Sequence, residues 1–187
     1  MQQQSKPNPR LTQLDWVNAG IEMLADEGIG AVKIERLASM LGVTRGSFYH
    51  HFRDREELLR KMLDHWAQRW TYSIRDEISV LDLEPATALL ALMKAIRSKK
   101  AASFDAPFRA WALHDPLALE IIKRVDEERL GFIGQWFEAL GFEDLDAENR
   151  ARLFLYYEMS EPMMFAEQSA EIEQQLVVKR HRFLTTP

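Results

Sequence analysis

Along most of this chain the apolar positions recur three and four apart, and no stretch alternates apolar and polar residues with period two between turn signals. The pattern predicts an all-α protein of about nine helices. Leu14, Val17, Ile21 and Leu24 give a first helix, about 12–27, its apolar stripe; Thr12 and Asp15 stand at capping-box spacing and Gly28 is the stop. A second helix is expected over about 33–41 and a third over about 45–51. A fourth opens with Asp54 as N-cap and Glu57 three residues on, and Leu59, Met62, Trp66, Trp70, Ile74 and Ile78 carry it to about residue 80. Pro85 suits the first position of a fifth helix, about 85–101, and Asp105-Ala106-Pro107 the start of a short sixth bearing Phe108 and Trp111. Asp115-Pro116 opens a seventh, about 116–140, where Gly141 and Phe142 predict a Schellman ending with Phe142 folded back onto Phe137. Asp146 is the expected cap of an eighth, about 147–166, and a ninth covers about 170–184. Residues 1–9, polar with two prolines, are expected to be a disordered arm.

The segment 34–52, IERLASMLGVTRGSFYHHF, holds the most chemistry. Ile34, Leu37, Ala38 and Leu41 make one apolar face, Gly42 permits a turn with positive φ, and Thr44 is placed to cap the next helix through its hydroxyl. Phe48 and Phe52, four apart, point inward, which leaves Arg45, Ser47, Tyr49 and His50 outward. A cation, a small hydroxyl, a phenol and an imidazole are the groups that phosphates and base edges accept, so the spacing reads as a helix-turn-helix that places its second helix in a DNA groove.

The whole chain carries a net charge of −5, an unpromising total for a DNA binder. Residues 1–65 hold nine Lys/Arg and nine Asp/Glu, so the acidity lies beyond them, and Arg45, Arg53 and Arg55 fall within one short stretch. There is no cysteine, hence no thiol nucleophile or thiolate metal site, and no run of 18 apolar residues to span a membrane. The beginning MQQQSKPNPR lacks the apolar core of a signal peptide, and a cytoplasmic protein is expected.

Residues 11–60 resemble the DNA-binding domain of the TetR (tetracycline-repressor-like) family of bacterial transcription regulators. The resemblance is carried by Ala19 to Gly28 in the first helix and by LASMLGVTRGSFYHHFRDREELL at 37–59. It implies a DNA-binding domain over 1–53 and an effector-binding and dimerisation domain over 54–187, with helix 54–80 as connector. It further implies a homodimeric repressor on a pseudo-palindromic double-stranded operator, released when an unidentified small molecule swings the fourth helix, with the last two helices of each subunit forming a four-helix bundle. The family's hydroxyl before the second helix is here Val32 followed by Lys33, so a phosphate contact there would be made by a point charge. Its proline after Phe52 is here Arg53.

The DNA-contact set expected on these grounds is Lys33, Thr44, Arg45, Gly46, Ser47, Tyr49, His50 and Arg55. Arg45 has no core role between a cap and a glycine, and Gly46 weakens the helix unless the DNA backbone approaches closely. Arg55 stands at the positive end of the fourth helix, suited to a phosphate or to a surface ion pair. The expected effector pocket draws on Trp66, Trp70, Met93, Phe108, Trp111, His114, Phe132, Trp136 and Tyr156, although most large side chains in this half must be plain core. Arg109, Asn149 and Glu158 are polar residues on apolar faces, and Gly131 and Gly134 open either space for a ligand or close helix packing. Phe154, Met159, Met163 and Leu176 are the expected dimer contacts. Adjacent His50 and His51 diverge by about 100° and make no metal site; no cofactor and no catalytic residue is expected. An all-α enzyme using His114 and Asp115 is disfavoured because Asp115 is already explained as a helix cap. An effector-independent DNA-binding or architectural protein is the remaining alternative.

Overall fold

The computed structural model describes residues 11–160, 164 and 169–187. These form nine helices: α1 (Gln13–Glu27), α2 (Ile34–Met40), α3 (Arg45–Phe48), α4, α5 (Pro85–Ser98), α6 (Ala101–Ala112), α7 (Pro116–Ala139), α8 (Asp144–Ser160) and α9 (Ala170–Thr185). Helix α4 runs from Arg55–Ala67 through a π-helical turn, Gln68–Tyr72, into Ser73–Ser79. No strand occurs among the described residues. The expected arm and the end of the eighth helix, with Pro162 and Met163, lie outside them. The chain divides into two compact units, Met1–Met62 and Leu63–Pro187, so the first turns of α4 belong to the N-terminal unit.

Local chemistry sets the helix ends much as expected. Thr12 and Asp15 complete a reciprocal capping box at α1, and the hydrogen bond from Thr12 is the main reason the Asp15 carboxyl lies below its ordinary pKa. Asp54 accepts the Glu57 N–H at 2.8 Å, while Glu57 reaches back to the Arg53 N–H at 2.8 Å. Asp115 accepts the Leu117 and Ala118 N–H groups at the head of α7. At its end Gly141 takes φ +89°, the Phe142 N–H donates to the Phe137 carbonyl at 3.2 Å, and the two rings meet edge to face.

Four boundaries and faces differ, each for a physical reason. Leu14 is exposed, and Trp16 takes its place in the core. At 100° per residue Leu14 lies about 110° from the centre of the arc made by Trp16, Val17, Gly20, Ile21, Met23 and Leu24. Helix α3 is shorter than expected, ending at Phe48, with Tyr49 to His51 in a turn. Helix α6 begins at Ala101, so Asp105 and Pro107 lie inside it. Lys100, with φ +52°, reverses the chain after α5, and burial of Ala101, Ala102, Phe108 and Trp111 offsets the roughly 3 kcal/mol a helical proline costs. Helix α8 begins at Asp144, not after Asp146, because the Asp146 N–H is already bonded to the Glu143 carbonyl; the Asp146 side chain receives Arg150 instead.

In the C-terminal unit α7 packs against α5, α6 and α8, and α5 also touches α4, α6, α8 and α9. No described helix is long and apolar enough to cross a membrane.

Candidate nucleic-acid interface

The N-terminal unit is organised behind α3. Phe48, fully buried, meets Trp16 edge to face at 5.3 Å and stacks on Phe52 at 5.1 Å. A helix of one turn has no stability of its own in water, so this aromatic cluster holds it. The consequence is orientation: with Phe48 inward, Arg45, Gly46, Tyr49 and His50 are exposed and Ser47 is half-buried.

Arg45 and Tyr49, four apart, act as a pair. The Arg45 Nη2 donates to the Tyr49 hydroxyl at 3.3 Å, and this bond, with the nearby Glu35 carboxylate, raises the Arg45 pKa further above its ordinary value. Nη1 also lies 3.1 Å from Glu35 on α2. Both members of that ion pair are well exposed, so it is weak and readily exchanged for another partner. Glu35, exposed in the first turn of α2 beside the positive helix end, is an acid next to Arg45 that the sequence pattern did not single out. Lys33 is exposed and is the N-cap of α2, whereas Val32 is fully buried.

Two expected roles change. Thr44 occupies the N-cap of α3 with extended backbone, but its hydroxyl makes no capping bond; the Ser47 N–H bonds the Thr44 carbonyl at 3.0 Å. The exposed hydroxyl is thus not committed to the cap. Arg55 is part-buried, and its Nε donates to the Val32 carbonyl at 2.7 Å and Nη2 to the Ile29 carbonyl at 3.2 Å. It ties the turn before α2 to α4, so it does not stand as a phosphate ligand. Arg53, by contrast, is exposed and pairs with Glu57.

In the C-terminal unit the expected pocket positions separate. Trp66, Met93, Phe108 and Trp111 are core, with Trp66 stacked on Phe108 at 5.2 Å. Trp70 is buried and stacks on Phe104; Phe132 and Trp136 are half-buried partners; His114 is exposed on the turn before α7. Apolar periodicity alone does not distinguish a filled core from a lined cavity. Of the nine expected positions, Tyr156 lines a cavity that opens on this unit.

That cavity, about 230 Å³, is walled by Arg109, Asp126, Leu155, Tyr156, Met159 and Ser160. Behind the wall lies a charge network that sequence reasoning missed apart from Arg109. Arg109 forks onto Asp126 at 2.7 and 2.6 Å and bonds Asp105 through Nε. Arg129 donates to Asp105 at 2.9 Å and to the Thr71 hydroxyl through Nε and Nη2 at 3.0 and 2.7 Å, and its guanidinium lies over the Trp66 ring. Burial opposes the Arg109 charge, but the Asp126 and Asp105 carboxylates outweigh it and hold its pKa above the ordinary arginine value. The signal was present in principle: Arg129 interrupts the α7 stripe Ile122, Val125, Ile133 at helical spacing. A second buried acid, Glu158 on α8, receives Arg180 from α9 at 2.7 Å.

The expected dimer contacts also separate. Phe154 and Met159 are buried within the protomer, because they lie on the face of α8 that meets α7 and α6, so they are not available to a second chain. Leu176 is half-buried, and Met163 lies outside the described residues.

A family model for bacterial regulatory proteins of the tetR family matches residues 17–62, the span that contains Phe48, the turn and the outward Arg45–Tyr49 pair. Over residues 17–62 the chain is thus similar to the tetR family. Among its relatives, the HTH-type transcriptional regulator BetI of Pseudomonas paraeruginosa is 27% identical over 120 residues, 61% of this chain and 60% of that protein. The HTH-type transcriptional repressor KstR2 of Mycolicibacterium smegmatis is 28% identical over 91 residues, 49% of this chain and 43% of that one. The chain thus spans about 60% or less of the length of these curated relatives. The fold extends further: AibR, whose structure was solved with isovaleryl coenzyme A and operator DNA, superposes with a TM-score of 0.73 at 15% identity, covering 94% of this chain and 98% of that one.

Proposed function

We propose that this protein is a homodimeric transcriptional repressor of the tetR family that binds a pseudo-palindromic DNA operator and is released by a small-molecule effector. The observation that carries the reading is the outward Arg45–Tyr49 pair, presented by a one-turn helix with Phe48 anchored behind it. Lys33, Thr44, Gly46, Ser47 and His50 complete the proposed contact set. Recognition helices of the two subunits would enter successive major grooves about 34–36 Å apart. With no bulk positive charge on residues 1–65, affinity rests on a few placed groups and falls with salt.

Arg45→Ala is expected to weaken binding to the operator by about 5–150-fold, the discrimination of one bidentate base contact, with a smaller loss on random duplex. Fluorescence anisotropy on DNA from upstream of the gene, against a scrambled duplex, checks this. Equal losses on both would make Arg45 a phosphate contact; unchanged binding on both would remove α3 from the interface.

For the dimer, the reading moves from the buried positions to the outward faces of α8 and α9. Leu153 and Tyr157 are exposed on α8, and Ile172, Leu176, Lys179 and Phe183 form one stripe on α9 at helical spacing. A cavity of about 610 Å³ includes Leu153, Lys179 and Phe183 in its lining. The occupant proposed is the same face of a second copy, a self-complementary contact. Phe183→Asp, at a side chain 74% exposed in the protomer, is expected to give folded monomers in multi-angle light scattering. A persistent dimer would place the interface elsewhere.

A further inference from the structure

The cavity beside the Arg109–Asp126 pair has a property that the effector reading alone does not supply: its wall already holds an exchangeable carboxylate. Arg109 and Asp126 line it, 27% and 29% exposed, and are joined by a two-point fork. Asp105, 1% exposed, lies behind them and touches both Arg109 and Arg129. The cluster is balanced, two guanidiniums against two carboxylates, so net charge does not decide which ligand fits. The cost of displacement does.

A cationic ligand entering here must push Arg109 off Asp126, and Arg109 cannot leave without also abandoning the buried Asp105. That exposes a desolvated acid to the loss of a partner, the expensive event for buried ion pairs. An anionic ligand needs Asp126 to turn outward, giving up the fork and a longer pairing with Arg129 at 3.7 Å, and Asp126 is the more solvated acid of the two, while Arg129 keeps Asp105. An incoming carboxylate then meets the same planar two-donor fork that Asp126 occupied, with the same geometry. The exchange keeps Arg109 charged, paired and in contact with Asp105.

The remaining lining supplies the rest of the description. Leu155 and Met159 give apolar surface and Tyr156 a phenol at the edge. At about 230 Å³ the space is below the roughly 300–1,000 Å³ typical of drug-sized sites, so the apolar tail must be short.

We propose that this cavity binds a small monocarboxylate with a short apolar tail, its carboxylate taking the place of Asp126 on the Arg109 fork. The identification of this molecule as the effector rests on the proposed function above. The route to the helix that carries the π turn is on the same residues: Asp105 stands one contact behind Arg109 and Arg129 two, and Arg129 holds Thr71 on α4.

The test uses the full chain with hexanoate as probe and hexylammonium and hexanol as the cationic and neutral counterparts, each followed by isothermal titration. Hexanoate is expected to bind, and the two counterparts to bind at least about tenfold more weakly. Asp126→Asn, at a part-exposed position, removes the competing charge and is expected to tighten hexanoate binding by about tenfold, with thermal unfolding of the variant showing that it is folded. Arg109→Lys keeps the charge but loses the fork, and is expected to weaken it by about tenfold. Weaker hexanoate binding in Asp126→Asn, preference for hexylammonium, equal binding of hexanol, or no hexanoate binding at all would each overturn the site. DNA affinity measured in parallel separates the two claims. The expected hexanoate pattern with unchanged DNA affinity would uphold the site and overturn the effector reading. Intact DNA binding without hexanoate binding would overturn the site and leave the DNA reading standing.

Discussion

Asp105→Ala is expected to destabilise the C-terminal unit by about 3–5 kcal/mol, the cost of leaving a buried charge without its partner. Asp105 is 1% exposed and Arg129 5% exposed in their side chains, and the two are 2.9 Å apart. Without the carboxylate, Arg129 keeps the neutral Thr71 hydroxyl, the edge of Met159 and a longer pairing with Asp126 at 3.7 Å, a carboxylate that Arg109 already forks. Arg109 retains Asp126, so the loss falls mainly on Arg129. Joining Arg129→Met to Asp105→Ala removes the stranded charge and is expected to recover most of the stability, since packed apolar residues commonly replace a buried ion pair without cost. Urea unfolding of the two variants against the parent measures both values. A loss under about 1 kcal/mol in the single variant would show that water reaches Arg129. A full recovery in the double variant would mean that stability alone does not account for the network. Its contribution would then be geometric: it fixes the Arg109 fork at the cavity wall.

Phe48→Ala is expected to cost about 3–5 kcal/mol, at the level measured for large aromatic truncations in filled cores. In a unit of this size that is a large part of the whole stability. The reason is specific to α3. Its four residues hold no stable helix by themselves, and Phe48 binds it to Trp16 and Phe52. Truncation is therefore expected to abolish DNA binding as well, through disorder of the Arg45–Tyr49 pair. The adjacent residue provides the contrast: Tyr49→Ala, half exposed, is expected to change stability by no more than about 0.5 kcal/mol while still weakening DNA binding. Thermal unfolding and anisotropy on the same two variants check the division. Similar destabilisation by both would mean that Tyr49 also supports the core.

The site was legible to different depths in its two halves. In the N-terminal unit each candidate position is tied to a neighbour in sequence: Phe48 inward forces Arg45 and Tyr49 outward, because helix geometry relates them within one turn. The exceptions involved a choice between partners far apart in the chain. Arg55 looked suited to a phosphate, yet the Val32 and Ile29 carbonyls, more than twenty residues earlier, claim its guanidinium. Thr44 looked like a side-chain cap, yet its backbone carbonyl takes that role. In the C-terminal unit the important pairs join α6 to α7 and α4 to α7. Asp105 next to Pro107 reads locally as a helix start, and only its burial between two arginines shows otherwise.

By itself, the sequence determined the all-α class, most helix ends and the outward face of α3. These depend on caps, on φ preferences and on the 3.6-residue period, all properties of neighbouring residues. Tertiary structure alone decided which aromatic residues fill the core, that Phe154 and Met159 face inward, and that Asp105, Arg109, Asp126 and Arg129 meet beside one cavity. Those outcomes depend on which helix faces are brought together and which charges must then be paired out of water, and a one-dimensional pattern carries no record of either.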